Sequence, residues 1–302
     1  MSDIKQTLLE LGYSNIKDSG EFYRTKPIYR NSDNETSLSI NKVTGRFVDF
    51  GRNIRGSFEE LVKLTLKVDK IEDAKTWLSD KVYYNTERPK YIEKISEQKT
   101  FDEDLLNNLY DKQDYWIKRG VSQQTLLDFK GGEVDSGKMK DRYVFPIFNH
   151  RNKIVGFSGR DLLNYENTKR PKWKHIGSKS NWVYPAFLNK KIISQSEQII
   201  IVESIGDMLS LWEAGVKNVL VSFGLDIGAN LLNFLLKSDP TQVILSFNND
   251  NENNFAGNNA ANKAFKKLSK YFDQSQIKIV LPDKKDFGEM NTEEILNWIK
   301  KI

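Results

Sequence analysis

The chain has 302 residues, 38% of them hydrophobic and 29% charged, which excludes a disordered polymer and supplies apolar surface for a sizeable core in two domains. Lys and Arg total 46 against 41 acids, a net charge of +5 that permits a polyanionic partner without requiring one. There is no cysteine, and the histidines are His150 and His175, so disulfides and ordinary Cys/His zinc sites are excluded. No apolar run reaches membrane-spanning length, and Asp3, Lys5, Glu10 and Lys17 interrupt the first stretch, so neither a membrane span nor a signal peptide is expected.

In chain order, Ile4, Leu8, Leu9 and Leu11 give an apolar helical face ending at Gly12. A small antiparallel sheet follows, with Phe22–Ile28 pairing with Ser37–Asn41 and Arg46–Phe50 after a turn at Thr44-Gly45. Helices are expected at Ser57–Leu66 and Ile71–Leu78. Arg24, Lys26, Arg30, Lys42, Arg46, Arg52 and Arg55 interleave with Tyr23, Tyr29, Phe47 and Phe50. Such a face suits single-stranded nucleic acid, although most of these rings read as core. Residues 85–100 are polar, contain Pro89 and read as a linker. A helix is expected from Phe101, and another is capped by Ser122 and ends at Phe129. Arg142–Phe148 and Lys153–Ser158 form a hairpin, with Pro146 marking an edge or bulge. His150 and His175 read as surface residues in polar loops.

From 198 the pattern changes. Apolar runs Ile199–Val202, Val219–Ser222, Val243–Ser246 and Ile277–Leu281 alternate with helical segments, which predicts four parallel strands covered by helices. Ligands bind outside the carboxyl ends of such strands. Glu203, Asp207, Asn248 and Asp250 gather there. An oxygen donor set without histidine or cysteine suits Mg²⁺ or Mn²⁺, and two such ions could clamp a phosphoryl transfer. Any one of these acids alone reads better as a polar strand end; the whole set at these spacings reads as a site.

The run Val202-Glu203-Ser204-Ile205-Gly206-Asp207, with Asn248-Asn249-Asp250 ahead of Ala256-Gly257 and Ala260-Ala261, resembles the Toprim pattern of topoisomerases, bacterial-type primases and some nucleases. Asn248 stands where that pattern has its first paired Asp. Arg119-Gly120, Phe129, Arg142–Ile147, Gly156–Arg160, Pro171-Lys172 and Lys179–Tyr184 follow in the order of the primase catalytic core. Pro27-Ile28-Tyr29, Asn34–Ser39 and Gly51–Ser57 resemble the zinc ribbon that opens such primases, without its metal-binding cysteines. A metal-free version would be held by packing of Phe22, Tyr29, Phe47, Phe50 and Phe58.

The resemblance is to bacterial- or phage-type (DnaG-like) DNA primases. It implies an α+β N-terminal domain and catalytic-core subdomain followed by an α/β Toprim domain with a mostly parallel four-stranded sheet. The expected bounds are 1–84, a linker at 85–100, 101–197 and 198–302. It also implies synthesis of RNA primers on single-stranded DNA from ribonucleoside triphosphates, with Mg²⁺ or Mn²⁺ and no zinc, in the cytoplasm of a bacterium or phage-infected host. A separate replicative helicase would be a partner. Glu203, Asp207 and Asp250 would be catalytic, with Asn248 and Asp286 completing the metal set, and Arg142, Arg160, Lys172 and Lys179 would contact template and nucleotide phosphates. After Asp286 the family holds a second acid; Gly288 stands at that position, with Glu289 beside it. The alternatives are a Toprim nuclease and a non-catalytic DNA-binding replisome protein.

Overall fold

The N-terminal third builds an antiparallel sheet closed by helices. The computed structural model describes residues 4–79, 99–163, 170–249 and 256–302. Asp250 and the expected linker, apart from Lys99 and Thr100, lie outside these. The chain divides into two compact units. In the first, helix α1 (Ile4–Glu10) precedes strands β1 (Lys17–Ser19), β2 (Phe22–Thr25), β3 (Leu38–Asn41), β4 (Phe47–Asp49) and β5 (Ile54–Gly56), paired in that order. Helices α2 (Phe58–Leu66) and α3 (Ile71–Ser79) complete it. The expected hairpins are present; β1 and β5 were not anticipated, because Lys17-Asp18-Ser19 is wholly exposed and carries no apolar signal. Ser57 and Glu60 form a capping box on α2, satisfying two backbone donors that the helix start leaves open. Gly45, at φ +69°, turns where a Cβ would lie 2.6 Å from Phe58 Cβ.

Leu8, Leu38, Ile40, Phe47, Phe58 and Leu61 are buried together. Of the other rings expected to hold this domain, Phe22 is buried and Phe50 lies beneath the Arg24 guanidinium at 5.6 Å. Tyr29 contributes through its hydroxyl. It donates to Asp49 Oδ2 at 2.7 Å, beside Arg30, which donates from Nε at 2.7 Å and from Nη2 at 2.5 Å. Segment Ser269–Gln276, far along the chain, belongs to this same unit. Its Asp273, 2% exposed, accepts from Arg24 and from the hydroxyls of Ser39 and Ser275. Lys42 pairs with Asp18. Arg24, Arg30 and Lys42 are therefore engaged within the unit, which narrows the expected basic face.

In the second unit, α4 (Asp114–Ile117) and α5 (Gln123–Asp128) lead into β6 (Gly132–Val134), β7 (Arg142–Phe148), β8 (Ile154–Asp161) and β9 (Trp173–Gly177), an antiparallel sheet in sequence order. The helix expected from Phe101 is a 3₁₀ turn, Glu103–Asn108. Pro146 lies beyond the β6 pairing and just ahead of a register shift at Ile147/Phe148, the edge or bulge position that proline takes in a sheet. Helix α6 (Ala186–Gln195) then leads into β10 (Gln198–Val202), α7 (Ile205–Glu213), β11 (Val219–Val221), α8 (Ala229–Ser238), β12 (Gln242–Leu245), α9 (Ala256–Leu268), β13 (Ile277–Ile279) and α10 (Thr292–Ile299). These strands are parallel, in the order β11-β10-β12-β13.

One apolar core serves both sheets: Trp116, Phe129 and Tyr143 pack with Ile200, Leu209 and Trp212. His175 departs from the surface placement read from sequence. It lies on β9, half-buried, edge-on to the Trp182 and Phe223 rings at 5.8 and 5.7 Å. Burial first, then the charges of Lys179 and Arg142, push its pKa down to about 4. His150 is exposed in the β7–β8 turn.

Candidate active site

The β10–α7 corner places the first acids. Glu203 follows the last residue of β10 and is half-buried. Ser204 caps α7, and its Oγ accepts from the Asp207 N–H at 3.4 Å. In return Asp207 Oδ2 accepts from the Ser204 N–H and O–H at 3.1 and 2.7 Å. Asp207 is 4% exposed, and its Oδ1 accepts from the Phe287 N–H at 3.2 Å. Burial, and after it the charge of Asp286, push the Asp207 carboxyl up to about 6. Lys172 Nζ stands 3.8 Å from Asp286 Oδ2.

These groups share a pocket with residues of the preceding subdomain. Asp207, Asp286, Ser204, Gly206 and Gly288 line one part of it; Arg160, Lys172, Trp173, Tyr115, Trp116 and Arg119 line the other. A Cβ on Gly206 would meet Trp116 and Trp173 at 3.6 and 3.8 Å, ordinary contact distances, so both rings border this corner. Trp116 and Trp173 stack at 6.2 Å with an interplanar angle of 29°. The result is a wall of rings and cations facing two close carboxylates.

Four of the sequence-predicted residues thus meet: Asp207, Asp286, Arg160 and Lys172. Glu203 and Asn248 follow the ends of adjacent strands β10 and β12. Asn249 fastens that edge to the loop after β13, its N–H donating to Lys285 O at 2.8 Å and its Nδ2 to Pro282 O at 3.2 Å. Glu289, beside Gly288, is exposed and is not among the described residues lining the pocket.

Two basic residues sit elsewhere than expected. Arg142 is 2% exposed; it donates to Gly159 O at 3.0 Å and Pro171 O at 2.9 Å, and it lies 3.5 Å from Asp161. In this arrangement the guanidinium is engaged by carbonyls and a buried carboxylate, so it braces the sheet. Burial lowers its pKa from the ordinary value. Asp161 is shared with Arg170 at 2.9 Å. Lys179 is exposed but donates to Phe223 O at 3.0 Å, outside the pocket lining. Conversely, Arg119, Tyr115 and Trp173 line the pocket and were not singled out as ligand contacts. The Arg119-Gly120 motif was their visible signal, but helix-end arginines ordinarily face solvent.

Among the described residues no three His, Asp or Glu side chains form a ready metal cage. The acid donors at this edge are nonetheless all oxygen: the charge of Asp286 reaches Asp207, and Lys172 stands beside Asp286. In chemical kind they fit a hard divalent cation.

Residues 200–291 match the Toprim-like family. Over 96% of its length the chain is 26% identical to the DNA primase of Helicobacter pylori, and over 84% it is 27% identical to that of Clostridium acetobutylicum. It spans 58% and 49% of those relatives' lengths. Among solved structures, the zinc-binding and RNA polymerase domains of Aquifex aeolicus primase superpose with a TM-score of 0.55 at 21% identity, covering 99% of this chain and 83% of that one. The DnaG primase catalytic domain bound to single-stranded DNA gives 0.52 at 20% identity, over 63% and 70%. The chain resembles DnaG-like primases along nearly its whole length. It carries a Toprim-like domain at 200–291.

Proposed function

We propose that this chain synthesises short RNA primers on single-stranded DNA from ribonucleoside triphosphates, releasing pyrophosphate. The observation that carries this reading is the shared pocket: Asp207 and Asp286 from the Toprim-like half meet Arg160 and Lys172 from the preceding subdomain. That subdomain is the part a stand-alone Toprim nuclease has no evident need of. Arg160 presents a fork for phosphate oxygens and Lys172 a point charge. Glu203, Asp207, Asn248, Asp250 and Asp286 would hold Mg²⁺ or Mn²⁺, which when bound neutralises the triphosphate and favours attack by a 3′ oxygen. Asp207 is fixed by its own helix cap, so its carboxylate needs no reorganisation when a ligand arrives. Trp116 and Trp173 line one wall of the pocket.

Asn248 and Gly288 motivate a second reading, a DNA-binding replisome protein without catalysis, because each supplies no charge where the primase pattern has an acid. One assay separates the two. The protein is incubated with single-stranded DNA, labelled ribonucleotides and Mg²⁺ or Mn²⁺, with Glu203→Gln alongside, and products are resolved on a denaturing gel. Short RNA that disappears in the variant supports primer synthesis. Salt-sensitive DNA retardation without products supports the binding protein, and shortened DNA supports a nuclease. A helicase partner is proposed on the same footing, tested by adding one to the reaction.

A further inference from the structure

Arg119 and Arg160 converge on one ring. The Arg119 guanidinium lies 4.8 Å from the Tyr115 centroid and that of Arg160 5.8 Å. Arg160 Nε donates to the Tyr115 hydroxyl at 2.9 Å, and the same guanidinium lies 5.9 Å from the Trp173 centroid. The nearby acids have other partners: Asp161 pairs with Arg142 and Arg170, Asp286 with Lys172, and Asp207 accepts from Ser204 and the Phe287 N–H. Among the described residues no carboxylate pairs with either guanidinium. Two like charges are thus gathered on a neutral phenol, an arrangement that repels itself until an anion arrives.

We infer that Tyr115 is a positioning residue that holds Arg119 and Arg160 side by side as a clamp for the polyphosphate of a nucleotide. This rests on reading the pocket as the nucleotide site. The chemistry is specific to a tyrosine. Its hydroxyl occupies Arg160 Nε, leaving the two terminal nitrogens as a fork for phosphate oxygens. Its ring face holds Arg119 by cation–π attraction. Phenylalanine would keep the second function and lose the first; leucine would lose both.

The test titrates the full chain with inorganic tripolyphosphate by calorimetry, in chelator, comparing wild type, Tyr115→Phe, Arg160→Gln and the double variant. Tyr115→Phe keeps the ring and its volume, and a thermal melt checks its folding. The expected weakening is roughly five-fold for Tyr115→Phe and at least about ten-fold for Arg160→Gln. The double variant should bind no more weakly than Arg160→Gln alone, because the hydroxyl acts through that arginine. A merely structural tyrosine would weaken binding equally in both backgrounds, and that additivity overturns the clamp, as does wild-type affinity in Tyr115→Phe. Tripolyphosphate binding with the expected non-additivity, but no RNA in the primer assay, leaves the clamp standing and removes the primase reading. RNA synthesis with unaltered tripolyphosphate binding by Tyr115→Phe overturns the clamp alone.

Discussion

The Phe287 N–H donates to Asp207 Oδ1 at 3.2 Å across 80 residues of sequence. Because Oδ2 takes the Ser204 N–H and O–H, the carboxylate is fastened at both oxygens and joins the β10–α7 corner to the loop after β13. Asp207→Asn sets an amide NH₂ against donors that need an acceptor. It should cost about 1–3 kcal/mol in denaturant melts, along with loss of primer synthesis.

The same carboxyl has a pH signature. Burial, then Asp286, raise it from 3.8 to about 6, so the folded protein binds this proton more tightly than the unfolded chain does. The stability it contributes is fully present below its unfolded value and is lost as pH rises through about 6. In chelator, the stability gap between wild type and Asp207→Asn should therefore narrow between roughly pH 4 and pH 7.5. Mg²⁺ should raise the wild-type Tm more at the upper end, where the proton no longer competes. A gap that widens with pH would contradict this.

In the N-terminal unit the Arg30 and Asp49 side chains are 8% and 0% exposed. Burial alone would raise the Asp49 carboxyl. Hydrogen bonds from Arg30, Tyr29 and Gly51 outweigh it and hold the pKa below the ordinary value. Its stabilisation is present above the ordinary carboxylate range and is lost as pH falls through the lower folded value. Asp49→Ala leaves Arg30 buried without its partner and should destabilise by about 3–5 kcal/mol, read by urea titration of the full chain.

Asn248 stands where the Toprim pattern has an acid, and its carbonyl is so close to α9 that a Cβ on Gly257 would lie 2.0 Å from it. The backbone there is fixed, so a side-chain exchange should change charge without moving the chain. Asn248→Asp should tighten Mg²⁺ binding by roughly ten-fold, about 1.4 kcal/mol, measured by calorimetry.

The parallel sheet was legible because buried strands write themselves as continuous apolar runs: Ile199–Val202 and Val243–Ser246 fall within a residue or so of β10 and β12. The acids at the strand ends follow from topology, and Asp207 and Asp286 do meet. Arg142 was not legible, since nothing local distinguishes a basic residue that bonds to carbonyls 17 and 29 residues away from one facing solvent. The same holds for Asp273, whose Ser39 partner is 234 residues distant. His175 was misplaced because nothing adjacent to it in sequence marks the Trp182 and Phe223 rings that pack against it. Arg119 carried a motif but no hint of the ring it rests on.

The central claim is that the pocket shared by the acids and Arg160 is where nucleotides react. The most direct measurement is pyrophosphate release from ribonucleotides on a single-stranded template, taken alongside template affinity, for wild type, Asp286→Asn and Arg160→Gln. The account predicts release by wild type, with rates reduced by about a hundred-fold or more in both variants while template affinity stays within about two-fold for Asp286→Asn. Undiminished release by Asp286→Asn would contradict it.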